Sequence, residues 1–488
     1  MALQHISPPQ QDGVLICRNR ITKYTDGDCR LYIFLYLCLS NKEIMYKNDI
    51  IVAPATAFGG AIAVIRMSGA GSVALLDNIF VGREPLAEAK THTIRYGVIR
   101  DGERVIDNVV VAIYRAPHSY TGEESVEISI HGSRYIAQEV IRLLCEEGAR
   151  MAQVGEFSQR AVLAGRLDLS QAEAVADLIA AESRAEHAIA STQMRGGYSR
   201  MLDGLRDELI GICSLLELEL DFGEEDVEFA DRARLSEMLD KIEGAVLRLL
   251  GSFRMGNAIR EGVKVAIVGR PNVGKSTLLN ALLQDNRAMV SEIAGTTRDT
   301  IEEMIMIDDI RFRFIDTAGL HETDDRLEKM GIERTERAIK EADIVIYMIE
   351  PSQQEFELPE LAEHQKLLVV VNKMDTVNED DLDIAGAIYL SARYDDGTDK
   401  LRDALCELVD IDGAYQGDVV VSNMRHAAAL NDTLTHIHAA KRAMRDDISS
   451  ELLAEDIRRA SDSLGEITGR ITNDDILHTI FGKFCIGK

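Results

Sequence analysis

Residues 264–276, KVAIVGRPNVGKS, decide the fold of the middle of this chain. The apolar run KVAIVG reads as a buried strand. It leads into a G-x-x-x-x-G-K-[ST] signature from Gly269 to Ser276, and a helical pattern opens at its end. A strand, a glycine loop and a helix in that order make a phosphate-binding turn, because glycines let backbone N–H groups close around phosphate oxygens. Lys275 is suited to neutralise β/γ charge, and Ser276 to offer a hydroxyl to Mg²⁺. Asn272, Val273, Gly274 and Thr277 complete the candidate loop.

Further strings follow in the order that a guanine-nucleotide domain needs. Ser291, Glu292, Ile293, Ala294, Gly295, Thr296 and Thr297 precede Arg298-Asp299 where a switch loop belongs, with Thr297 as a second Mg²⁺ ligand. Asp316, Thr317, Ala318 and Gly319 end the third strand of the unit, where Asp316 can hold a magnesium-bound water. Asn372, Lys373 and Asp375 end a later apolar strand. The Asp375 carboxylate can accept from guanine N1–H and the 2-amino group; adenine presents no such donor pair and would leave it unpaired. Ser391, Ala392 and Arg393 are placed to give guanine O6 a backbone contact. Together these strings predict a GTP-binding and GTP-hydrolysing domain. Leu320 stands where a Ras-like protein has its water-orienting glutamine, so a carboxylate in the acidic stretch His321 to Glu328, foremost Glu328, is expected to position the attacking water.

Alternating strands and helices across residues 263–411 read as a doubly wound α/β unit. Its strands are KVAIVG, RFRFIDTAG, ADIVIYMIE, KLLVVVNK and AIYLSA. Helical patterns flank it. Leu202, Leu205, Leu209, Ile212 and Leu216 recur at helical spacing, as do Leu235, Leu239, Ile242, Val246 and Leu249. Helices are also predicted over 134–146, 423–445, 449–469 and from Asn473 to Phe481. Ser170-Gln171-Ala172-Glu173 has the form of a capping box. Before residue 160, β-branched runs at 50–65, 94–99, 105–114 and 125–131 predict an α+β domain. The expected architecture is multidomain: an α+β N-terminal domain, an all-α helical domain, and an inserted Ras-like doubly wound α/β G domain.

The formal charge of −28 argues against unaided nucleic-acid binding, since phosphates are met by Lys and Arg. Seven scattered cysteines without C-x-x-C pairs predict neither a zinc site nor a disulfide framework, and fit a reducing cytoplasm. The run LYIFLYLCL at 31–39 is too short to cross a bilayer, so no membrane partner is expected.

Residues 45–488 resemble the MnmE (TrmE) family of tRNA-modifying GTPases. The resemblance rests on PHSYTGEESVEISIHG (117–132), GEFSQRAVLAGRLDLSQAEAVADLI (155–179), the phosphate loop with Asn272, the GTTRD and DTAGL strings, and the terminal Phe484-Cys485-Ile486-Gly487-Lys488. It implies a folate-binding and dimerising domain at 45–163, a helical domain at 164–261 and 412–488, and a G domain at 262–411. It implies a homodimer whose GTPase is activated by K⁺ held at Asn272, Ser291, Ile293 and Thr296, with Glu328 activating water. It further implies a heterotetramer with the FAD-containing MnmG protein. That complex would install an aminomethyl-type (carboxymethylaminomethyl) group at C5 of the wobble uridine of certain tRNAs. The one-carbon unit would come from a tetrahydrofolate derivative (5-formyl or 5,10-methylene) held by Arg66, Glu127, Arg166 and Lys488, with a role for Cys485. Departures from the family pattern are the loop Ala55 to Ala61, arginine for lysine at 166, Ser133 for glycine, and His321 for arginine. The competing reading is a GTP-switched assembly factor without modification chemistry, which an accessory RNA-binding domain would favour. Met45 opens a stretch that reads as the start of a domain, so residues 1–44 are expected to be a mis-called start or a dispensable extension. Intact mass of the native protein checks this: a chain beginning at Met1 and inactive without its extension would contradict it.

Overall fold

The computed structural model describes residues 13–17, 20–24, 49–221, 232–284, 303–308, 310–315, 328–353, 356–377, 384–409, 419–446, 448–471, 480–482, 484 and 487. Two units are distinguished: residues 1–168 with 472–488, and residues 169–471.

In the first unit, β1 (Gly13–Cys17) and β2 (Arg20–Tyr24) pair as an antiparallel hairpin. A seven-stranded sheet is built from β3 (Ile51–Pro54), β4 (Ile62–Ser68), β5 (Phe80–Gly82), β6 (Thr93–Asp101), β7 (Arg104–Tyr114), β8 (Ser125–His131) and β9 (Arg150–Met151), in the order β5-β6-β7-β8-β4-β3-β9. Its strands alternate: Ile65, Met67, Val111, Ile113, Val126, Ile128 and Ile130 are buried, and the intervening residues take the other face. Helix α1 (Ser72–Asp77) and helix α2 (Arg134–Glu146) contribute Leu76, Val140 and Leu144 to that core, each such side chain stabilising by about 1.5–3 kcal/mol. On the opposite face Ile62, Ile94 and Tyr96 are exposed. Antiparallel register sets Arg66 of β4 directly across from Glu127 of β8. Helix α3 (Glu156–Leu163) closes the unit, and the last residues of the chain return to it: a Cβ at Gly155 would lie 2.7 Å from the Phe481 carbonyl oxygen.

The second unit opens with α4 (Leu169–Ala180), α5 (Arg184–Met194), α6 (Gly197–Asp221) and α7 (Arg232–Glu261), and closes with α11 (Met424–Arg445) and α12 (Ser450–Thr468). The two leucine stripes are buried, and they share one core with Leu430, Ile437, Leu453, Ile457 and Leu464 from beyond the α/β insertion. Between these blocks lie β10 (Val263–Gly269), α8 (Lys275–Gln284), β11 (Glu303–Ile307), β12 (Ile310–Phe314), α9 (Glu328–Glu341), β13 (Ile344–Ile349), β14 (Lys366–Val371), β15 (Ile388–Tyr389) and α10 (Thr398–Glu407). Sheet order is β11-β12-β10-β13-β14-β15, parallel throughout except that β11 runs antiparallel to β12. This is the inserted doubly wound domain that the alternation predicts, with β11 as an edge strand absent from the runs read as strands.

One local expectation fails. Ser170 lies inside α4 and meets Ser199, with 3.0 Å between the two hydroxyl oxygens. Glu173 does not reach back to a helix start; it accepts from Asn423 (3.1 Å), from Arg425 (2.6 Å) and from His426 Nε2 (2.8 Å). A tertiary ion cluster has outcompeted the cap. The expected helix from Asn473 falls largely outside the described residues.

Burial alone would raise the Glu173 carboxyl, but the hydrogen bond and charge of His426, and then those of Arg425, hold it at about 2, against an ordinary 4.5. His426 is pushed down by its own burial, so Arg425 is the counter-charge near neutrality. A depressed carboxylate stabilises the fold above its unfolded pKa and loses that effect as pH falls towards its folded value. Glu173→Gln should therefore cost roughly 3 kcal/mol in urea unfolding at pH 7, and the gap from wild type should close between pH 4.5 and pH 2. A gap independent of pH across that window would contradict the assignment.

Candidate functional site

The phosphate loop leaves β10 at the centre of the sheet, where β12 lies on one side and β13 on the other. This is the switch point at which open α/β sheets bind ligands. Its glycines are required by shape. Gly269 has φ 152° and Gly274 has φ 105°; a Cβ on the first would run into the Met348 carbonyl and on the second into the Asn372 amide. Asn272, also left-handed at φ 62°, is exposed at the loop crest. Asparagine tolerates this conformation better than most side chains, so the loop can turn here and still carry an amide. Lys275 opens α8, and its Nζ donates to the carbonyls of Gly269 (2.9 Å) and Arg270 (3.1 Å), lying across the loop. Burial pulls its pKa down, so an anion beside it would restore the charged form.

At the other end, Ser391 Oγ donates to Asp375 Oδ1 at 2.6 Å, which aims an otherwise exposed carboxylate. Arg393 is exposed and lies over the Tyr394 ring. The two ends are tied by Asn372, only 3% exposed. Its Nδ2 donates to Val273 O (2.8 Å) and its Oδ1 accepts from Ala392 N (2.9 Å). The Asn372 side chain is thus a strut between the phosphate loop and the base-reading loop. Lys373, left-handed at φ 66°, is held by an ion pair to Glu350 at 2.7 Å. Sequence reading missed Glu350; its place at the end of a buried strand beside the base-reading strand was the available signal.

Near the loop, the Ser276 hydroxyl at the start of α8 is an oxygen donor of the kind that Mg²⁺ takes, and the Asn272 amide, expected to hold K⁺, stands exposed at the crest. Their expected co-ligands Ser291, Ile293, Thr296 and Thr297, the candidate contacts Glu292, Ala294 and Gly295, and Asp316 to Gly319 lie outside the described residues. So does the side chain of Glu328, whose backbone begins α9.

Of the folate candidates, Arg66 and Glu127 are brought together, in the first unit. Arg66 donates to Glu127 Oε1 through Nε (3.0 Å) and Nη2 (2.7 Å). Its guanidinium lies 5.5 Å from the Tyr120 ring centroid and 5.9 Å from that of Phe157. Nη1 reaches the Gly487 carbonyl of the C-terminal tail at 3.3 Å. Gly487 is left-handed at φ 99°, and a Cβ there would overlap the Pro54 carbonyl. Arg166 is exposed, its stem packed beside Gly122. Cys485 and Lys488 fall outside the described residues, on either side of Gly487. Among the described residues no helix is long and apolar enough to cross a membrane.

A phosphate loop at the switch point of a doubly wound sheet, braced to a guanine-reading strand end, defines a GTP-hydrolysing G protein. Comparison narrows the class. The model of the MnmE helical domain matches residues 169–485, and that of the GTP-binding protein TrmE N-terminus matches residues 50–166. The tRNA modification GTPase MnmE of Bacteroides thetaiotaomicron is 47% identical over 464 residues, covering 91% of this chain and 100% of its own length. That of Christiangramia forsetii is 46% identical over 474 residues, with 91% and 100% covered. Among solved structures, the FeoB G-domain from Methanococcus jannaschii matches at 22% identity and a TM-score of 0.22, over 30% of this chain and 97% of that one. The chain belongs to the MnmE (TrmE) family.

Asp375→Asn removes the charged acceptor facing guanine N1–H. Calorimetry should show GTP affinity falling at least about 100-fold, the loss of one or two charge-assisted hydrogen bonds. Xanthosine triphosphate, whose 2-oxo group accepts from the new amide, should gain. Unchanged GTP binding would remove Asp375 from the base site.

Proposed function

We propose that this chain is a potassium-activated GTPase that acts with an FAD-containing partner of the MnmG kind. Together they add an aminomethyl-type (carboxymethylaminomethyl) group to C5 of the wobble uridine of certain tRNAs, using a tetrahydrofolate one-carbon unit. The observation that carries the reading is the seating of the C-terminal tail on the Arg66–Glu127 pair. A G protein that only switched would have no need of a second polar site, walled by Tyr120 and Phe157, against which its own terminus is packed.

In the G domain, Lys275 and the loop N–H groups hold the β/γ-phosphates while Ser276 faces the magnesium side. Mg²⁺ and K⁺, when bound, offset charge that builds on the phosphates as the γ-phosphoryl leaves. Leu320 cannot orient water, so Glu328 takes that task. Asp375, aimed by Ser391, selects guanine, and Asn372 keeps base and phosphate contacts at a fixed spacing. In the first unit, Glu127 suits the amino-pyrimidine of a reduced folate, and Arg66, Arg166 and Lys488 suit its carboxylates. Cys485, in the same terminal FCIGK string as Gly487, is given a role in the modification chemistry. The exposed apolar side chains Ile62, Ile94 and Tyr96, on the sheet face opposite the main core, favour a homodimer through this unit. The strongly negative charge assigns most of the tRNA-binding surface to the partner.

Mass analysis of wobble nucleosides from cells lacking the protein should show loss of the C5 substituent, and Arg66→Ala should reproduce that loss while GTP hydrolysis stays within about twofold. Intact C5 modification in the deleted strain would favour the assembly-factor reading.

A further inference from the structure

Acids on α4, on α5 and on the turn between them make three contacts around the G-domain insertion: two clamp the helical segments that flank it, and one reaches the G domain itself. Glu173 holds Asn423, Arg425 and His426, just after the insertion. One turn on, Asp177 pairs with Arg260, just before it, at 2.9 Å. The third grip lies on the G sheet itself: Arg311 of β12 reaches Glu182 at 2.9 Å and Glu186 at 3.3 Å.

The first two grips fix the chain ends. Val421 N donates to Ser252 Oγ at 3.1 Å, Gln193 holds the Val420 carbonyl at 3.0 Å, and a Cβ on Gly256 would overlap the Val421 carbonyl, so exit and re-entry segments are packed backbone to side chain without slack. The third grip is built differently. Glu186 is only 8% exposed, and its Oε1 is buried without a hydrogen-bond partner while Oε2 takes Arg311 and the Glu182 N–H. A buried carboxylate with half its capacity unmet is costly and exchanges donors readily. Beside it lies a cavity of about 230 Å³, walled by Asp177, Glu186, Ile189, Ile259, Arg260 and Arg311. Arg260, across that cavity, is an alternative donor. Gly262, left-handed at φ 88°, connects α7 to β10 and packs against the Arg311 stem. From Arg311 in β12 to Ile315, one residue past its end, is about 13 Å of extended chain, and Ile315 is followed in sequence by Asp316, the residue read as facing the magnesium side.

We propose that Arg311 and Glu186 form a two-position joint that passes the nucleotide state of the G domain to the helical block. When β12 shifts with the nucleotide, Arg311 leaves Glu186, Glu186 takes Arg260 across the cavity, and Arg260 loosens Asp177 and with it α4. Two discrete packings of the same charges supply the switch. The proposal rests on the GTP reading of the G domain.

Hydrogen exchange by mass spectrometry on the full-length protein tests it, comparing GDP with a slowly hydrolysed GTP analogue. In wild type, peptides covering 177–190 should exchange at rates differing at least about threefold between the two nucleotides. In Arg311→Met and, independently, in Glu186→Gln, which keeps the side-chain size, that difference should vanish while analogue affinity by calorimetry stays within about twofold. A difference surviving in both variants, or absent from wild type that binds both nucleotides, overturns the joint. Failure of wild type to bind either nucleotide would overturn the GTP reading instead, and the joint with it.

Discussion

Closure of the helical core across a domain-sized insertion is the constraint on which the second unit depends. Tyr198 to Leu249 cannot complete a core alone; their apolar stripes are met by Leu430, Ile437, Leu453 and Ile457, which the chain supplies only after the whole G domain. Long amphipathic helices draw their stability from such partners rather than from propensity. The two ends of the G domain are thereby brought together by a core in which it takes no part. The Glu173–Arg425–His426 cluster makes that closure specific. A buried carboxylate of this kind tolerates one arrangement of donors and penalises the rest.

A similar economy organises the nucleotide end. One buried amide, Asn372, spans from Val273 to Ala392, so the distance between phosphate and base contacts is set by protein–protein hydrogen bonds. Preorganisation of this sort lowers the ordering cost of binding. Gly274 has no side chain because that amide occupies the space a Cβ would need.

Much of this was legible in the sequence where the governing physics is local. The loop from Gly269 to Ser276, the leucine stripes of α6 and α7 and the strands of the G sheet depend on neighbours within a few residues. β11 was passed over although Ile305 and Ile307 alternate, because it is a short edge strand with two methionines. The capping box at Ser170 misled for the opposite reason: the local pattern was present, but donors 250 to 253 residues away claimed Glu173. Arg66 and Glu127 look like ordinary strand charges until the register pairs them and the tail arrives from 421 residues downstream. The Asn372 strut, linking positions 99 apart, left no spacing signature at all.

The return of the terminus to the first unit has a consequence for biosynthesis. Residues up to 168 leave the ribosome long before residues 472–488, which belong to the same unit. Domains made early ordinarily fold while translation continues. Here the main core, from Val52 to Ala149, is supplied early, but the seat around Pro54 and Arg66 stays unfilled until the intervening residues have been made. A chain cut short before residue 487 would carry a complete phosphate loop but not the tail carbonyl that meets Arg66, so the two sites differ in how much of the chain each must have before it is whole.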